Sequence, residues 1–513
     1  MKRKQQIRFY LSVLITLVGC IFFVSLQTVL ESHPPLAVGV LFAFGFGCVF
    51  WLVTSPKFFP QFVGKTSAES LAIIRILVCS FTLVQVVFLS NVSQTVLLPE
   101  SIIQPTGVMQ FFYLIPGLIN LGRNQLFLQI LQWVTALILF LGIVGWQTRT
   151  VLPLGAFCFL FLGGIERQYS YLNHQSLILL DLLIVLSFTP CGDALAVDNP
   201  QGKSGKEPIY GWSRYVCWVT VAMTYFITGM SKIRVGGFFW WDSTNLRTKL
   251  YQCSLAPCNN FSNFDYSLKL IHAPDFLFAI FGIVGVFGEI AFILVLFSVT
   301  ARIIFPLLMM SMHIGIFFLQ NELFTDFIFL QLVFFDLTKV SRIIQNKFSL
   351  FNNNKLPLDS RRNNNQHSAF FYPSMVSAII IILSIFWYYQ LKFYPLTAWA
   401  VFSDRETSGK ITYYKLNADY KSGDFGSAQP EKLPYDALYN SYKAARRDCF
   451  SKNKNGSTCQ DFFQAFPTLH NKYINPKDEI KTLKLEQWQW NFKKYPDDKN
   501  YGKLINHQIY KYE

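Results

Sequence analysis

The feature that most constrains this chain is a series of apolar runs, each about as long as a bilayer is thick. A spanning helix needs about 20 mostly apolar residues, with a range of about 17–25. Runs of this kind lie at Phe9–Leu30, Leu36–Thr54, Leu71–Leu89, Leu126–Trp146, Val151–Ile165 and Ser176–Thr189. Others follow at Tyr215–Met230, Phe276–Val299, Ile303–Leu319, Phe324–Leu337 and Pro373–Leu391. Val151–Ile165, Ser176–Thr189 and Phe324–Leu337 are short, and read as tilted spans or re-entrant hairpins, so ten or eleven spans are expected. Only 15% of the residues are charged, against about a quarter in a soluble globular protein. The expected fold is an all-α polytopic membrane protein with a small C-terminal α+β extramembrane domain.

The organisation follows from where this pattern breaks. Two spans fill residues 1–67, a membrane core fills 68–338, and a basic, Asn-rich cytoplasmic loop occupies 339–372. A last span, 373–391, leads into a soluble extracytoplasmic domain over 392–513. In that tail Ile411–Leu416 has strand character, Tyr435–Phe450 reads as a helix, and Leu483–Phe492 with Leu504–Tyr512 reads as a hairpin.

Orientation comes from Lys and Arg, which favour cytoplasmic loops. Lys2, Arg3, Lys4 and Arg8 precede the first run and place the N-terminus inside. That run has no small-residue cleavage site and reads as an anchor rather than a signal peptide. Alternation puts Lys57, Lys65, Arg149, Arg302 and the block from Lys339 to Arg362 inside, with Ser231–Ala273 as a basic exception outside. Much of the +15 net charge is thus topological, and no nucleic-acid partner is expected. Cys253, Cys258, Cys449 and Cys459 all fall in segments placed outside, where disulfides persist. Local pairing, 253 with 258 and 449 with 459, is the simplest of three connectivities. The other six cysteines lie in or beside spans, as small apolar groups.

Ionisable groups at membrane depth are costly and often mark a site. Here they are Arg75, Asp181, Glu289 and His313, with Asn173, His174 and Lys232 at span ends. Arg75 and Glu289 read first as structural ion-pair members, and Asp181 lies two helical turns beyond His174. His313 alone reads as a hydrogen-bonded core histidine, and Lys232 as a lysine snorkelling to the interface. The tail shows no nucleotide loop, no His/Cys metal spacing and no Ser/His/Asp set.

The string YFITGMSKI (Tyr225–Ile233), followed by Trp240 and Trp241, resembles the stretch of vitamin K-dependent gamma-glutamyl carboxylases that carries the catalytic-base lysine. YLNHQSLILL (Tyr171–Leu180) and HIGIFFLQNELF (His313–Phe324) resemble two further stretches of those enzymes. Order and spacing agree across Ala68–Asp336, the region shared with the bacterial "horizontally transferred transmembrane" (HTTM) family. The resemblance implies a reduced vitamin K-type quinone as cofactor. It implies Lys232 as the initiating base; a lysine acts so only where desolvation or a neighbouring cation, here Arg234, favours the neutral amine. His174 supports the carboxylation step, and Asn173, His313, Trp240 and Trp241 line the pocket. It further implies a secreted peptide or protein as substrate and the bacterial inner membrane as location. The chain departs from the family in carrying Ser231-Lys232 in place of two lysines, Asp242 after the tryptophans, and only about 120 residues beyond Leu391. A membrane factor for maturation or export of a secreted peptide is therefore the competing expectation, with a transporter third. The enzyme requires Lys232, His174 and Asn173 to meet in one apolar cavity, and the export factor requires a closed core.

Overall fold

The computed structural model describes residues 36–89, 92–115, 117–169, 174, 176–203, 205–256, 264–338, 368–433, 436–450 and 457–512. The run Phe9–Leu30, Asn173, Cys258 and most of the basic loop lie outside the described residues. The chain is mostly helical. Helix α1 spans Leu36–Val53, α2 Ala68–Val84, α3 Gln125–Val144, α4 Thr148–Arg167 and α5 Leu177–Ser187. After these come α6 over Pro208–Gly236, α7 over Ser243–Leu255, α8 over Asp275–Ala291, α9 over Ala301–Gln320 and α10 over Ser368–Tyr389.

Among the described residues seven helices are long and apolar enough to cross a membrane: α2 with its extension, α3, α4, α6, α8 with the turn that continues it to Leu296, α9 and α10. The segment over Val151–Ile165, expected to be short, is the full 20-residue α4. Its polar ends are absorbed by the helix, and the Arg167 guanidinium folds back to the Gly163 carbonyl at 2.9 Å. The other two short runs stay short, as α5 and the apolar helix Thr325–Phe334. Helix ends obey local chemistry. Asn124 caps α3 by accepting the Phe127 N–H, and Gly145 ends it at φ 78°, a left-handed residue where glycine costs least. A β-carbon at Gly145 would also lie 2.6 Å from Ala196.

The tail folds as a four-stranded antiparallel sheet with two helices. Its strands are β1 over Lys410–Tyr420, β2 over Phe425–Ser427, β3 over Ile480–Asn491 and β4 over Lys503–Lys511, in the order β2-β1-β3-β4. Helices α11 (Asp436–Asp448) and α12 (Ser457–Tyr473) lie between β2 and β3 in sequence. A Cys449–Cys459 disulfide joins them. The expected hairpin is β3 paired with β4; α12 is an element the sequence pattern did not reveal.

Side chains alternate faces along a strand, and this sheet uses both faces. Leu416 and Ala418, opposite Leu485 and Leu483, pack in one continuous core with α11, α12 and the long helices. Ile411, opposite Trp490, joins Tyr413 in a second core with Leu250 and Tyr251 of α7 and Phe278 of α8. The tail is therefore seated on the helical body rather than tethered to it.

Candidate functional site

Helices α6, α8 and α9 line an apolar cavity of about 420 Å³. Helical neighbours fall three and four residues apart, so Tyr225, Thr228 and Lys232 share one face of α6, and all three line the cavity. Glu289 lines it from α8, His313 from α9, His174 from the turn before α5, and Trp240 from the turn after α6. The roof comes from the strap that follows α10, through Trp399, Val401 and Phe402. Trp399 and Phe402 both have φ 51°, a conformation non-glycine residues hold only where surroundings over-determine it. Those surroundings are visible. Ser231 Oγ donates to the Ala398 carbonyl at 3.1 Å and Trp240 Nε1 to the Phe402 carbonyl at 2.9 Å.

Two polar networks face this apolar space. Lys232 Nζ donates to Glu289 Oε1 at 2.9 Å and Oε2 at 2.6 Å, and neither side chain is more than 7% exposed. Lys232 is thus no snorkelling residue; it is a buried, paired cation beside the Trp240 ring, 5.5 Å from its centroid. In the second network Gln331 Nε2 donates to Tyr225 Oη at 2.7 Å, and Tyr225 Oη lies 2.9 Å from His313 Nε2. The proton arrangement that strands fewest groups has Tyr225 donating to Nε2 and the proton of His313 on Nδ1. That buried Nδ1 has no partner among the described residues, a condition that costs about 1–3 kcal/mol and that a ligand oxygen would relieve. His174 Nε2 lies 3.3 Å from Thr397 Oγ1. Burial, with Arg167 and Lys392 nearby, pushes its imidazole down to about 3, so it is neutral at physiological pH.

Other expected residues lie elsewhere. Trp241 is not in the cavity wall; its backbone sits against Gly282, which has no room for a side chain. Arg75 pairs with no carboxylate among the described residues. Its guanidinium donates to the carbonyls of Cys191 at 2.6 Å, of Ala194 and Ile143 at 3.4 Å each, and of Leu195. It thus serves as a tie for the turn after α5. Asp181 does not share a helical face with His174, because Ser176 at φ 63° breaks the helix between them. Arg234 lies over Trp387 and Tyr388, 5.3 and 5.1 Å from their ring centroids. It therefore engages the rings of α10. Cys253 is disulfide-bonded, while Cys258 lies outside the described residues.

Residues that sequence reasoning did not assign are Tyr225, Gln331, Lys249, Trp399 and Phe402. Tyr225 carried a signal, its seven-residue spacing from Lys232; the strap carried none, being remote in sequence. In comparisons with protein families, curated proteins and solved structures, the chain finds no match.

The cavity wall also supplies a clean way to fill it. Gly285 and Gly315 both line it, and a β-carbon at either would meet nothing within 4 Å. Gly285→Phe and Gly315→Phe are expected to fold normally, with unfolding midpoints within a few degrees of wild type, while blocking ligand entry. Thermal unfolding alongside a binding titration checks both halves.

Proposed function

We propose that the protein is an integral membrane enzyme of the gamma-glutamyl carboxylase kind, in which the cavity holds a reduced vitamin K-type quinone and receives a glutamate side chain of a secreted peptide or protein. The observation that carries this reading is that Lys232, His174 and His313 line one apolar cavity. A size of about 420 Å³ lies within the usual range for small-ligand sites, about 300–1,000 Å³. Seven long apolar helices support insertion in a membrane. The placement of Lys and Arg and the Cys449–Cys459 disulfide favour a cytoplasmic N-terminus and an extracytoplasmic tail. An open cavity gives no support to the export-factor alternative, which calls for a closed core.

The residues present suit such a cofactor. Apolar walls match a fused ring, the His313 Nδ1 proton offers a donor to a ring oxygen, and the Lys232–Glu289 pair supplies proton exchange. Once bound and oxygenated, the quinol would supply the strong base that removal of a γ-proton demands. Lys232 cannot accept a proton while it is a paired ammonium, so it must first release one. Glu289 Oε2, at 2.6 Å, is the acceptor in reach. The Lys232 amine then takes the quinol proton at Nζ, and Glu289 retains the first. His174, neutral and hydrogen-bonded to Thr397, supports the carboxylation step.

Mass spectrometry of secreted proteins from cells expressing wild type or Lys232→Ala tests the reading. Carboxylated glutamate is expected only with the wild type; the same modification pattern in both strains would sink it.

A further inference from the structure

A second buried cation lines the same cavity, and its counter-charge is arranged differently. Lys249, on α7, is part of the cavity wall. Its Nζ lies 2.6 Å from Asp404 Oδ2 on the strap, and the two side chains are 9% and 76% exposed. A buried lysine needs an anion, because an unpaired charge in an apolar setting is costly. Asp404 is under no such pressure. It already faces water, so it gives up little by leaving. The Lys232–Glu289 pair, buried on both sides, has no such asymmetry.

Asp404 is also dispensable for holding the strap. Asn245 Oδ1 accepts the Glu406 N–H at 2.9 Å, Trp240 holds the Phe402 carbonyl, and Arg405 lies 4.0 Å from Asp242. The strap has its own anchors on both sides of residue 404.

We infer that Lys249 is an anion subsite of the cavity, that its ligand is a carboxylate, and that Asp404 is an intramolecular stand-in which the ligand displaces. An acidic side chain of a peptide and bicarbonate share this chemistry. The inference rests on the cavity being a reaction chamber, but its test requires no turnover, so the two can fail separately.

The test uses the full-length protein in detergent micelles. Asp404→Asn removes the ion-pair partner of Lys249, leaving only the weaker influence of Glu406, and lowers the unfolding midpoint. A short Glu-containing peptide should restore that midpoint and bind about tenfold tighter than to wild type, whereas its Gln counterpart should not. Restoration by bicarbonate alone would support the subsite with the small anion as its source. The double variant Asp404→Asn with Lys249→Met should respond to neither. Should Asp404→Asn fail to fold, acylation of Lys249 in the wild type by a small amine-reactive reagent serves instead. The Glu peptide is expected to slow it several-fold, and the Gln peptide to leave it unchanged. Equal responses to the two peptides, or a response that survives Lys249→Met, would overturn the assignment.

Discussion

Lys232→Met alone is expected to destabilise the protein by about 3–5 kcal/mol, because removing one partner of a buried ion pair leaves the other charge uncompensated. Glu289→Leu alone should cost a similar amount. The double variant is the informative one. Replacing both partners with apolar groups of similar volume is often neutral or even stabilising, so its stability should return to within about 1 kcal/mol of wild type. Denaturant unfolding of the four proteins closes the cycle. Activity should follow a different course: if Lys232 exchanges the proton, the double variant is well folded and inert. A purely structural pair would instead leave the double variant active, which separates the two roles without appeal to the geometry that suggested them.

Arg75→Met is the second large expected loss, on the order of 3–5 kcal/mol. Hydrogen bonds to a charged group contribute about 1.5–3 kcal/mol each, and Arg75 makes close ones to the Cys191 and Leu195 carbonyls. The residue is fully buried, so the stranded carbonyls find no water in its place. This loss should be confined to stability. Arg75 takes no part in the cavity wall, so ligand affinity measured below the unfolding midpoint should match wild type. A parallel fall in affinity would mean that the turn after α5 communicates with the cavity.

The helical body was legible because hydrophobic length is a one-dimensional property. Leu126–Trp146 became α3 over Gln125–Val144, and Ile303–Leu319 became α9 over Ala301–Gln320, each within two residues at either end. In the tail, β1, α11 and the β3–β4 hairpin were visible in the strand or helix character of their residues. Helix α12 was not, because Pro467 lies inside it and its phenylalanines do not stand out in so aromatic a chain. Ion-pair partners were the chief failure. Glu289 stands out as costly at membrane depth and Lys232 reads as a snorkelling lysine, yet nothing in a single sequence joins residues 57 positions apart. Arg75 shows the converse: a buried cation suggests a carboxylate, but here backbone carbonyls at a broken helix end hold its two terminal nitrogens instead. The spacing of His174 and Asp181 misled for a local reason, since a left-handed Ser176 resets the helical phase. The strap at Trp399 and Phe402 completes the cavity from beyond the last apolar helix, a contribution only the folded chain displays.

The most direct measurement of the central claim is equilibrium binding of a tritiated vitamin K-type naphthoquinone to the full-length protein in lipid nanodiscs. The account predicts saturable binding at one site per chain, lost in Gly285→Phe and Gly315→Phe at unchanged stability. Binding that rises linearly with quinone concentration, and does so equally in the filled-cavity variants, would contradict it.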